Sequence, residues 1–420
     1  MTSDIQETNA LTIDHVGAKG DGVSRDHERA VHVPFTLPGE VVEVVQRGEK
    51  ARLVSITSPS PQRVAPICGH FGVCGGCSLQ HWDEAAILAW KGDLVARALS
   101  RKGLDIEVSP AIAAWGSGRR RASFHGKQGS NGFEFGFAEA KSHKIVSINE
   151  CPILTASLQA ALHRLAVLAE GLAPKGETID LIVTDTPTGL DVDVRNAGKV
   201  DRFERRGLER LGHLADAAQI GRLTLHGHTA VSRVSPRVKM GQAIVAVPAG
   251  AFLQATRAGE DALAAKVLEW TKGAKHVADL FAGLGTFALR LKDNAQVTAI
   301  ESDPTAVAAM KQASDALAGG KTLTAIARDL YRAPLTPHEI KGMDAIVFDP
   351  PRAGAEAQAF QIARSKVNLV VAISCDPATF ARDAAILIEG GFKLDEIIAF
   401  DQFRFTSHVE IAAKFTRAKK

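Results

Sequence analysis

The sequence predicts an α/β protein whose C-terminal part, residues 251–420, is a doubly wound domain. Apolar strand-like segments alternate there with amphipathic helical segments, and acidic residues follow several of the strands. Residues 1–60 instead contain short strand-like segments separated by Gly and Pro turns, which predicts a small β-barrel. Residues 61–250 combine glycine turns with alternating aromatic residues, which predicts a β-rich central domain.

The composition is that of an ordinary globular protein with room for two or three domains. Of the 420 residues, 45% are hydrophobic and 23% are charged, and the formal net charge is +3. Because this charge is small, a surface that binds nucleic acid must be a local patch. Residues 1–11 lack the pattern of a secretion signal, and no apolar run approaches the roughly 20 residues of a membrane span. We therefore expect a cytoplasmic protein without membrane contact.

Four short strand-like segments make up the predicted N-terminal barrel, with turns at Asp21-Gly22, Pro38-Gly39 and Gly48 between them. The segments are residues 11–13, 30–34, 40–45 and 51–56. Short strands at this spacing favour an open barrel of the oligonucleotide-binding (OB) type. The same strand pattern also fits any other small β-module.

Three of the five cysteines, Cys68, Cys74 and Cys77, lie close together in a glycine-rich segment. This crowding predicts a metal site, because glycines let the backbone wrap tightly enough for three thiolates to converge on one point. A zinc ion or a four-iron cluster needs a fourth ligand, and Cys151 is the next cysteine along the chain. A proline follows Cys151, which favours a [4Fe–4S] cluster over zinc. His70 is an alternative ligand.

Two features of the central region point to RNA. The triplet Arg119-Arg120-Arg121 precedes four alternating phenylalanines, a pattern that fits either a base-stacking surface or a half-buried strand. Between Arg195 and Lys239, ten basic residues stand against four acidic ones, which predicts an RNA-facing side. The basic residues are Arg195, Lys199, Arg202, Arg205, Arg206, Arg210, Arg222, Arg233, Arg237 and Lys239.

A glycine-rich turn follows the first strand of the α/β domain, residues 276–281. Residues 283–288 match the GxGxxG/A pattern of nucleotide-binding domains, and Glu301 ends the next strand, where an acidic residue can hold a ribose hydroxyl. This pattern does not by itself separate NAD from S-adenosylmethionine. Asp279 before the turn and Asp349-Pro350-Pro351-Arg352 after a later strand favour S-adenosylmethionine, because no hydride-transfer group accompanies them. The domain is therefore predicted to be Rossmann-like.

Cys375 lies between an apolar strand, residues 367–373, and an amphipathic helix, residues 378–389. Backbone amides and the positive end of the helix dipole at this position favour a thiolate, which is the nucleophilic form of cysteine. The alternative is a buried and inert cysteine.

Taken together, the motifs of the chain resemble those of the bacterial RNA uracil-5-methyltransferase family. The matching motifs are Phe252-Leu253-Gln254, residues 279–285, residues 349–354, residues 374–379 and His408-Val409-Glu410. The N-terminal barrel is similar to a TRAM domain. The cysteine pattern resembles the iron–sulfur site of the family's 23S ribosomal RNA branch.

The resemblance implies a role for each matching residue. It implies that Cys375 is the nucleophile and Glu410 the base, and that the [4Fe–4S] cluster is held by Cys68, Cys74, Cys77 and Cys151. Contact with S-adenosylmethionine is implied for Gln254, Phe281, Thr286, Glu301, Asp329 and Asp349, and Asp349 could bind the uracil instead of the donor. Two positions depart from the family pattern: Thr286 replaces a common Asn, and Arg404-Phe405-Thr406 replaces a Pro-His-Thr run.

The implied reaction is methyl transfer from S-adenosylmethionine to C5 of a uridine in RNA. Because C5 of uracil is a poor nucleophile, a thiolate must first add at C6, and a base must later remove the C5 proton. The target base must leave any stack to reach the thiolate, so we expect a flipped or single-stranded uridine. We expect a monomer that acts on 23S ribosomal RNA, with transfer RNA as the alternative substrate.

Two further interpretations remain open at the level of sequence. The chain could be an RNA-binding iron–sulfur protein with an inactive methyltransferase domain, although Cys375 and Glu410 argue against this. It could also be an amino-methyltransferase that uses Asp349-Pro350-Pro351. Such enzymes usually have an aromatic residue after the prolines, whereas this chain has Arg352.

Overall fold

The computed structural model of the protein describes residues 8–25, 30–130, 132–197 and 205–417, and the side chains of all of these except residues 205–208. Within these ranges the strands form four sheets. No helix in the same ranges is long and apolar enough to cross a membrane.

Runs of consecutive strands dominate the N-terminal and central parts of the described chain, and strands alternate with helices mainly in the C-terminal part. In chain order they are β1 (Asn9–Thr12), β2 (His15–Val16), β3 (Gly22–Ser24), β4 (Val31–Val33), β5 (Val41–Arg47), β6 (Lys50–Ser58), α1 (Glu84–Ser100), β7 (Ile112–Ala113), β8 (Arg121–Gly129), β9 (Gly132–Ala138), β10 (Ile145–Ser147), α2 (Ala156–Leu172), β11 (Ile179–Thr186), β12 (Gly189–Arg195), α3 (Arg205–Ala217), β13 (Arg222–Leu225), β14 (His228–Ser232), β15 (Arg237–Met240), β16 (Ala243–Ala246), α4 (Arg257–Trp270), β17 (His276–Leu280), α5 (Ala288–Leu291), β18 (Gln296–Glu301), α6 (Pro304–Asp315), β19 (Leu323–Ala327), β20 (Ala345–Phe348), α7 (Glu356–Arg364), β21 (Leu369–Ser374), α8 (Pro377–Glu389), β22 (Lys393–Asp401) and β23 (Glu410–Thr416).

The N-terminal sheet has six strands in the order β1-β5-β6-β4-β3-β2. Alternate side chains along these strands bury a small apolar core that includes Leu11, Val33, Val42 and Val44. All four predicted strands are present in this sheet. The two additional strands, β2 and β3, occupy a stretch predicted to form turns, because its glycines are typical of turns.

The central sheet has seven strands in the order β10-β9-β8-β11-β12-β13-β14. Phe124 of β8 and Phe135 of β9 are buried, and their rings stack with centroids 5.3 Å apart. They share a core with α2, whose N-terminus is capped by the Thr155 side chain. These phenylalanines therefore belong to the core of a half-buried sheet rather than to an exposed base-stacking surface.

The C-terminal sheet has eight strands in the order β19-β18-β17-β20-β21-β23-β22-β7. The strands from β17 to β21 are parallel, and β23 inserts antiparallel between β21 and β22. The chain runs from β17 outward through β18 to β19 and then continues with β20 on the other side of β17. This order confirms the doubly wound α/β prediction, and it creates a switch point between β17 and β20, where such sheets bind ligands.

Helix α1 and strand β7 pack on the C-terminal sheet, although both lie in the range 61–250 predicted as the central domain. Strand β7 pairs with β22, and α1 packs against α8 and β22. Val95 and Leu99 of α1 share a core with Phe380 and Phe415. The periodicity of an amphipathic helix shows that one face is buried but not which element covers that face, so the sequence could not reveal this arrangement.

Candidate active site

One cavity of about 630 Å³ lies where β17, β18, β20 and β21 end. All eight residues predicted for donor binding and catalysis line it, namely Gln254, Phe281, Thr286, Glu301, Asp329, Asp349, Cys375 and Glu410. Such a volume suits a ligand of the size of a nucleoside. The fold thus brings together residues that lie far apart along the chain.

The turn after β17 has a backbone that favours glycine. Gly283 and Gly285 have φ angles of 54° and 90°, in the left-handed region. A Cβ atom on Gly285 would lie 2.8 Å from the Met310 side chain, so this position has no room for another residue. Phe281, which lines the cavity, also adopts a positive φ of 59°, a conformation that is strained for a residue with a side chain.

Glu301 organises this turn from the end of β18. Its Oε2 atom accepts a hydrogen bond of 2.9 Å from the Gly283 amide, and its Oε1 atom accepts one of 2.7 Å from the Ser302 amide. Across the cavity, Asp329 accepts a hydrogen bond from the Tyr331 amide, which places the Tyr331 ring against Phe281 with centroids 5.5 Å apart. This end of the cavity therefore combines carboxylates with two aromatic rings, a set that suits the ribose and base of a nucleoside.

Cys375 and Glu410 meet because β21 and β23 are antiparallel neighbours. Ser374 pairs with Ile411 in the ladder, so the residues just beyond this pair, Cys375 and Glu410, lie at the same level of the sheet. Both line the cavity, together with Asp349 at the end of β20. A thiol and two carboxyl groups therefore share one end of the cavity.

Burial raises the pKa of Cys375 to about 12, and the nearby carboxylates of Glu410 and Asp349 add to this effect, while Arg352 opposes it. This direction is opposite to the one expected from the helix dipole. Besides burial, the next residue occupies the first amides of the helix. Asp376 caps α8 by accepting hydrogen bonds of 2.9 and 3.0 Å from the Ala378 and Thr379 amides, so these donors do not serve the sulfur.

The pKa values of the two carboxyl groups at this end of the cavity are also raised above the ordinary range of carboxylic acids. Burial raises the pKa of Glu410, and the charge of Asp349 raises it further, whereas a hydrogen bond from Gln402 lowers it. Burial likewise raises the pKa of Asp349. A carboxyl group whose pKa is raised towards neutral pH can exchange protons near that pH, which is what a general base requires.

Several residues that line the cavity were not assigned a role from the sequence. Arg352 and His408 stand inside matching motifs, which was a usable signal, and the Arg352 Nη2 atom lies 3.3 Å from Nε2 of His408. Tyr331 and Phe403 carried no such signal. They reach the cavity only through the tertiary fold.

A second cavity, of about 230 Å³, is lined by the four cysteines predicted as cluster ligands, Cys68, Cys74, Cys77 and Cys151. All five cysteines of the chain are free. Within the described residues, no three His, Cys, Asp or Glu side chains are arranged to hold a metal ion, so the predicted convergence of three thiolates on one point is not observed. The four sulfur atoms instead surround a space. His70, the alternative ligand, lines it too, with its Nε2 atom 3.3 Å from Oδ1 of Asn149.

The arginine triplet has mixed surroundings. Arg120 is buried and structural: its Nη2 atom lies 2.5 Å from Glu260 and its Nε atom donates to the Gln254 carbonyl oxygen at 3.0 Å. Arg119 lines the cysteine cavity, and its buried Nε atom has no hydrogen-bond partner in the described structure. The Arg121 guanidinium lies 5.9 Å from the ring of Phe252, which is exposed at the mouth of the larger cavity.

The basic stretch of residues 195–239 contributes less exposed charge than its composition suggests. Arg222 is buried against Asp191, with two hydrogen bonds of 2.7 and 2.8 Å, and Arg233 pairs with Asp216. Lys199 and Arg202 lie outside the described residues, as do the side chains of Arg205 and Arg206. Arg222 is therefore not part of an RNA-facing side, since its charge is compensated in the interior.

The fold and the cavity define a methyltransferase-type Rossmann protein, and comparison with known proteins narrows this class. The chain is similar to an RNA methyltransferase of Brucella suis, with 42% identity over 420 residues and 100% of both chains covered. It is also similar to a 23S rRNA (uracil(1939)-C(5))-methyltransferase of Halomonas elongata, with 32% identity over 95% of this chain and 88% of that one. The family described as tRNA (Uracil-5-)-methyltransferase matches residues 329–418.

A solved structure extends the comparison to the whole fold. The Pyrococcus abyssi tRNA (uracil-54, C5)-methyltransferase, in complex with S-adenosyl-L-homocysteine, superposes with a TM-score of 0.76 and 23% identity over 97% of this chain and 99% of that one. The chain belongs to the RNA uracil-5-methyltransferase family, and it is an RNA methyltransferase.

Proposed function

We propose that the protein transfers a methyl group from S-adenosylmethionine to C5 of a uridine in 23S ribosomal RNA. The observation that carries this proposal is the juxtaposition of Cys375 and Glu410 across β21 and β23, at one end of a cavity that also contains the six residues predicted for the donor. The named activity of the Halomonas elongata relative supports the choice of ribosomal RNA.

The other end of the cavity supports binding of the methyl donor. S-adenosylmethionine, when bound, supplies an electrophilic methyl group. The Glu301 carboxylate would accept hydrogen bonds from ribose hydroxyls, and the rings of Phe281 and Tyr331 would contact the adenine. Thr286 and Asp329 would supply further polar contacts, and Gln254 would donate to a carboxylate or to uracil.

Catalysis would begin with transfer of the Cys375 thiol proton to the nearby Asp349 carboxylate, which leaves Glu410 free for the later step and returns the proton to the sulfur at the end of the cycle. The sulfur then adds to C6 of uracil, which makes C5 nucleophilic, and C5 takes the methyl group. Glu410 removes the C5 proton, the C5–C6 double bond forms again, and the C6–sulfur bond breaks. The products are 5-methyluridine, S-adenosylhomocysteine and the proton from C5.

The target uridine must enter this cavity from outside the fold, so it has to be unstacked from its neighbours in the RNA. Phe252 at the cavity mouth and Arg121 next to its ring are suitable contacts for the flanking nucleotides. We also propose that the N-terminal sheet is an OB-like barrel of the TRAM type that holds RNA, as its strand order and small apolar core permit.

We propose a [4Fe–4S] cluster in the cysteine cavity. In a four-iron cluster each thiolate binds a different iron, so four sulfur atoms around a space suit a cluster better than a single zinc ion, which needs its ligands at one point. The buried Arg119 Nε atom without a partner also fits, because a cluster with four thiolates carries negative charge. When bound, the cluster would tie the 68–77 segment to Cys151 and so stabilise the fold.

Mass spectrometry of nucleosides tests the proposed reaction. Ribosomal and transfer RNA would be purified from cells with and without this gene, and each would be digested and analysed for 5-methyluridine. Loss of 5-methyluridine from 23S ribosomal RNA alone would support the proposal. Loss from transfer RNA would show that transfer RNA, rather than 23S ribosomal RNA, is the substrate. Unchanged 5-methyluridine in both RNA classes would contradict the proposed activity.

A further inference from the structure

Gln402 occupies the link between β22 and β23 and is almost fully buried. Its Nε2 atom donates two hydrogen bonds, one of 3.0 Å to Oε1 of Glu410 and one of 2.8 Å to Oε1 of Gln254. Gln254 in turn donates a hydrogen bond of 3.1 Å to Oδ2 of Asp349. Two amides therefore connect the two carboxyl groups of the cavity in a continuous chain.

Two buried basic side chains, Lys91 and Arg120, hold the backbone next to these two glutamines. Lys91 donates to Asp401 and to the Phe403 carbonyl oxygen, with distances of 2.6 and 3.1 Å, and so holds the backbone on both sides of Gln402. Arg120 donates to the carbonyl oxygen of Gln254 at 3.0 Å. The amides therefore have little freedom to leave the carboxyl groups.

The orientation of Gln402 also leaves its own Oε1 atom buried without a hydrogen-bond partner in the described structure. A buried carbonyl oxygen without a partner costs stability. The opposite orientation would satisfy neither acceptor, because it would turn Oε1 towards Oε1 of Glu410 and Oε1 of Gln254. The observed orientation thus keeps the hydrogen bond from Gln402 to Glu410, although it leaves Oε1 of Gln402 without a partner.

We propose that Gln402 is a positioning residue for proton removal from C5: its amide holds the Glu410 carboxylate in the orientation of a base and links it through Gln254 to Asp349. This inference rests on the proposed function, because it assigns Gln402 to one step of that reaction. In this step the C5–H bond breaks and its proton passes to the Glu410 carboxylate. The electron pair restores the C5–C6 double bond and expels the Cys375 thiolate from C6.

The charged and titratable groups that face Glu410 are Asp349, Arg352 and Cys375. Burial and the charge of Asp349 raise the pKa of Glu410, while the Gln402 hydrogen bond and Arg352 lower it. Removal of the Gln402 donor therefore raises this pKa further, so a smaller fraction of Glu410 is able to accept a proton at neutral pH.

The test uses Gln402→Met, which keeps the length of the side chain but removes both donors. The substrate is an RNA fragment with tritium at C5 of uridine, and three quantities are measured: methyl transfer in a single turnover, release of tritium to water, and covalent protein–RNA adduct on a denaturing gel. We expect methyl transfer to slow less than tritium release, because the proposed role of Gln402 lies in the later step. We expect tritium release to slow by about tenfold or more, as general-base catalysis contributes roughly 10²–10⁴-fold.

The pH profile separates positioning from a loss of structure. In Gln402→Met, the rise of tritium release with pH should move to higher pH, because Glu410 must be deprotonated to act. The matched control is Gln358→Met, which removes a buried glutamine of α7 whose amide, within the described residues, bonds the Leu335 backbone. This control should release tritium with the same profile as the wild type. Gln402→Glu has the same shape and is the second variant if Gln402→Met does not fold, and it should shift the profile in the same direction.

Normal tritium release and an unshifted profile in a folded Gln402 variant would overturn the inference. Failure of the proposed function has a different signature: the wild type would release no tritium, and Glu410→Gln would trap no adduct. Slow release with accumulated methylated adduct in the Gln402 variant, beside a normal Gln358→Met, supports the inference.

Discussion

The Nζ atom of Lys91 lies 2.6 Å from Oδ1 of Asp401, and neither side chain reaches solvent. The same Oδ1 atom also accepts a hydrogen bond of 2.9 Å from the Phe403 amide. A lysine of α1 thereby fixes the link that holds Gln402 against Glu410 and brings Phe403 to the wall of the active-site cavity. Because both charges are buried, each depends on the other for compensation.

Lys91→Met should lower the stability of the protein by about 3–5 kcal/mol, since it leaves the Asp401 carboxylate buried without its cation. Thermal unfolding measures the effect as a lower Tm. Lys341→Met, which removes an exposed lysine, is the control and should leave Tm nearly unchanged. The double variant Lys91→Met with Asp401→Asn should recover part of the loss. Equal Tm values for Lys91→Met and the control would contradict the assignment.

Cys375→Ala should abolish methyl transfer, because no other cysteine lines the larger cavity. RNA binding should persist, since the side chain is small and its loss leaves the neighbouring Asp376 cap of α8 intact. A filter-binding assay and transfer of labelled methyl groups measure the two properties on the same preparation. Methyl transfer at the wild-type rate would exclude Cys375 as the nucleophile.

Glu410→Gln should allow methyl transfer but block release of the product, because the amide cannot accept the C5 proton. The expected result is a covalent adduct between protein and RNA that survives denaturing electrophoresis. Gln358→Met serves as a folded control that should form no stable adduct. Normal turnover by Glu410→Gln would show that another group, with Asp349 the nearest carboxyl group, acts as the base.

Asp279 makes the stability of the protein depend on pH. Burial raises the pKa of Asp279 to about 8, and the charges of Asp349 and Glu301 add to this effect. A folded-state pKa above the ordinary value near 3.8 means that this group stabilises the fold most below about pH 4, and that this contribution is lost as the pH rises towards 8.

The free energy of unfolding of Asp279→Asn minus that of the wild type should therefore increase from pH 5 to about pH 8, by up to several kcal/mol. The difference in Tm between variant and wild type, measured at both pH values, tests the sign. Asp293→Asn, at an exposed position, controls for the loss of one carboxyl group. A difference that stays constant or falls with pH would contradict the assigned direction.

Cys151→Ser should lower the iron and sulfide content of the protein when it is purified without oxygen, because it removes one of the four thiols around the cysteine cavity. Iron analysis and visible absorbance measure the content. Cys375→Ala is a matched control, since it removes the one cysteine outside this cavity, and it should keep the wild-type iron content. Wild-type protein that binds zinc rather than iron would refute the proposed cluster.

The eight predicted site residues show how much of the candidate site the sequence could indicate. They came from the motifs around Gly283, Cys375 and Glu410 and from the family resemblance that these motifs carry, and all eight line one cavity. Arg352 and His408 were also within reach, because they stand in the same motifs. Gln402 was not, because its importance lies in two hydrogen bonds to residues distant in the chain.

The sequence by itself determined the α/β class of the C-terminal part and which side chains have the chemistry of methyl transfer, because apolar periodicity and residue type are local properties. The tertiary structure decided how those side chains behave. The pKa of Cys375 is raised rather than lowered, since burial and two carboxylates outweigh a helix terminus that Asp376 already caps. Arg120 and Arg222 are interior ion pairs rather than RNA contacts, because charge compensation depends on which strands and helices become neighbours.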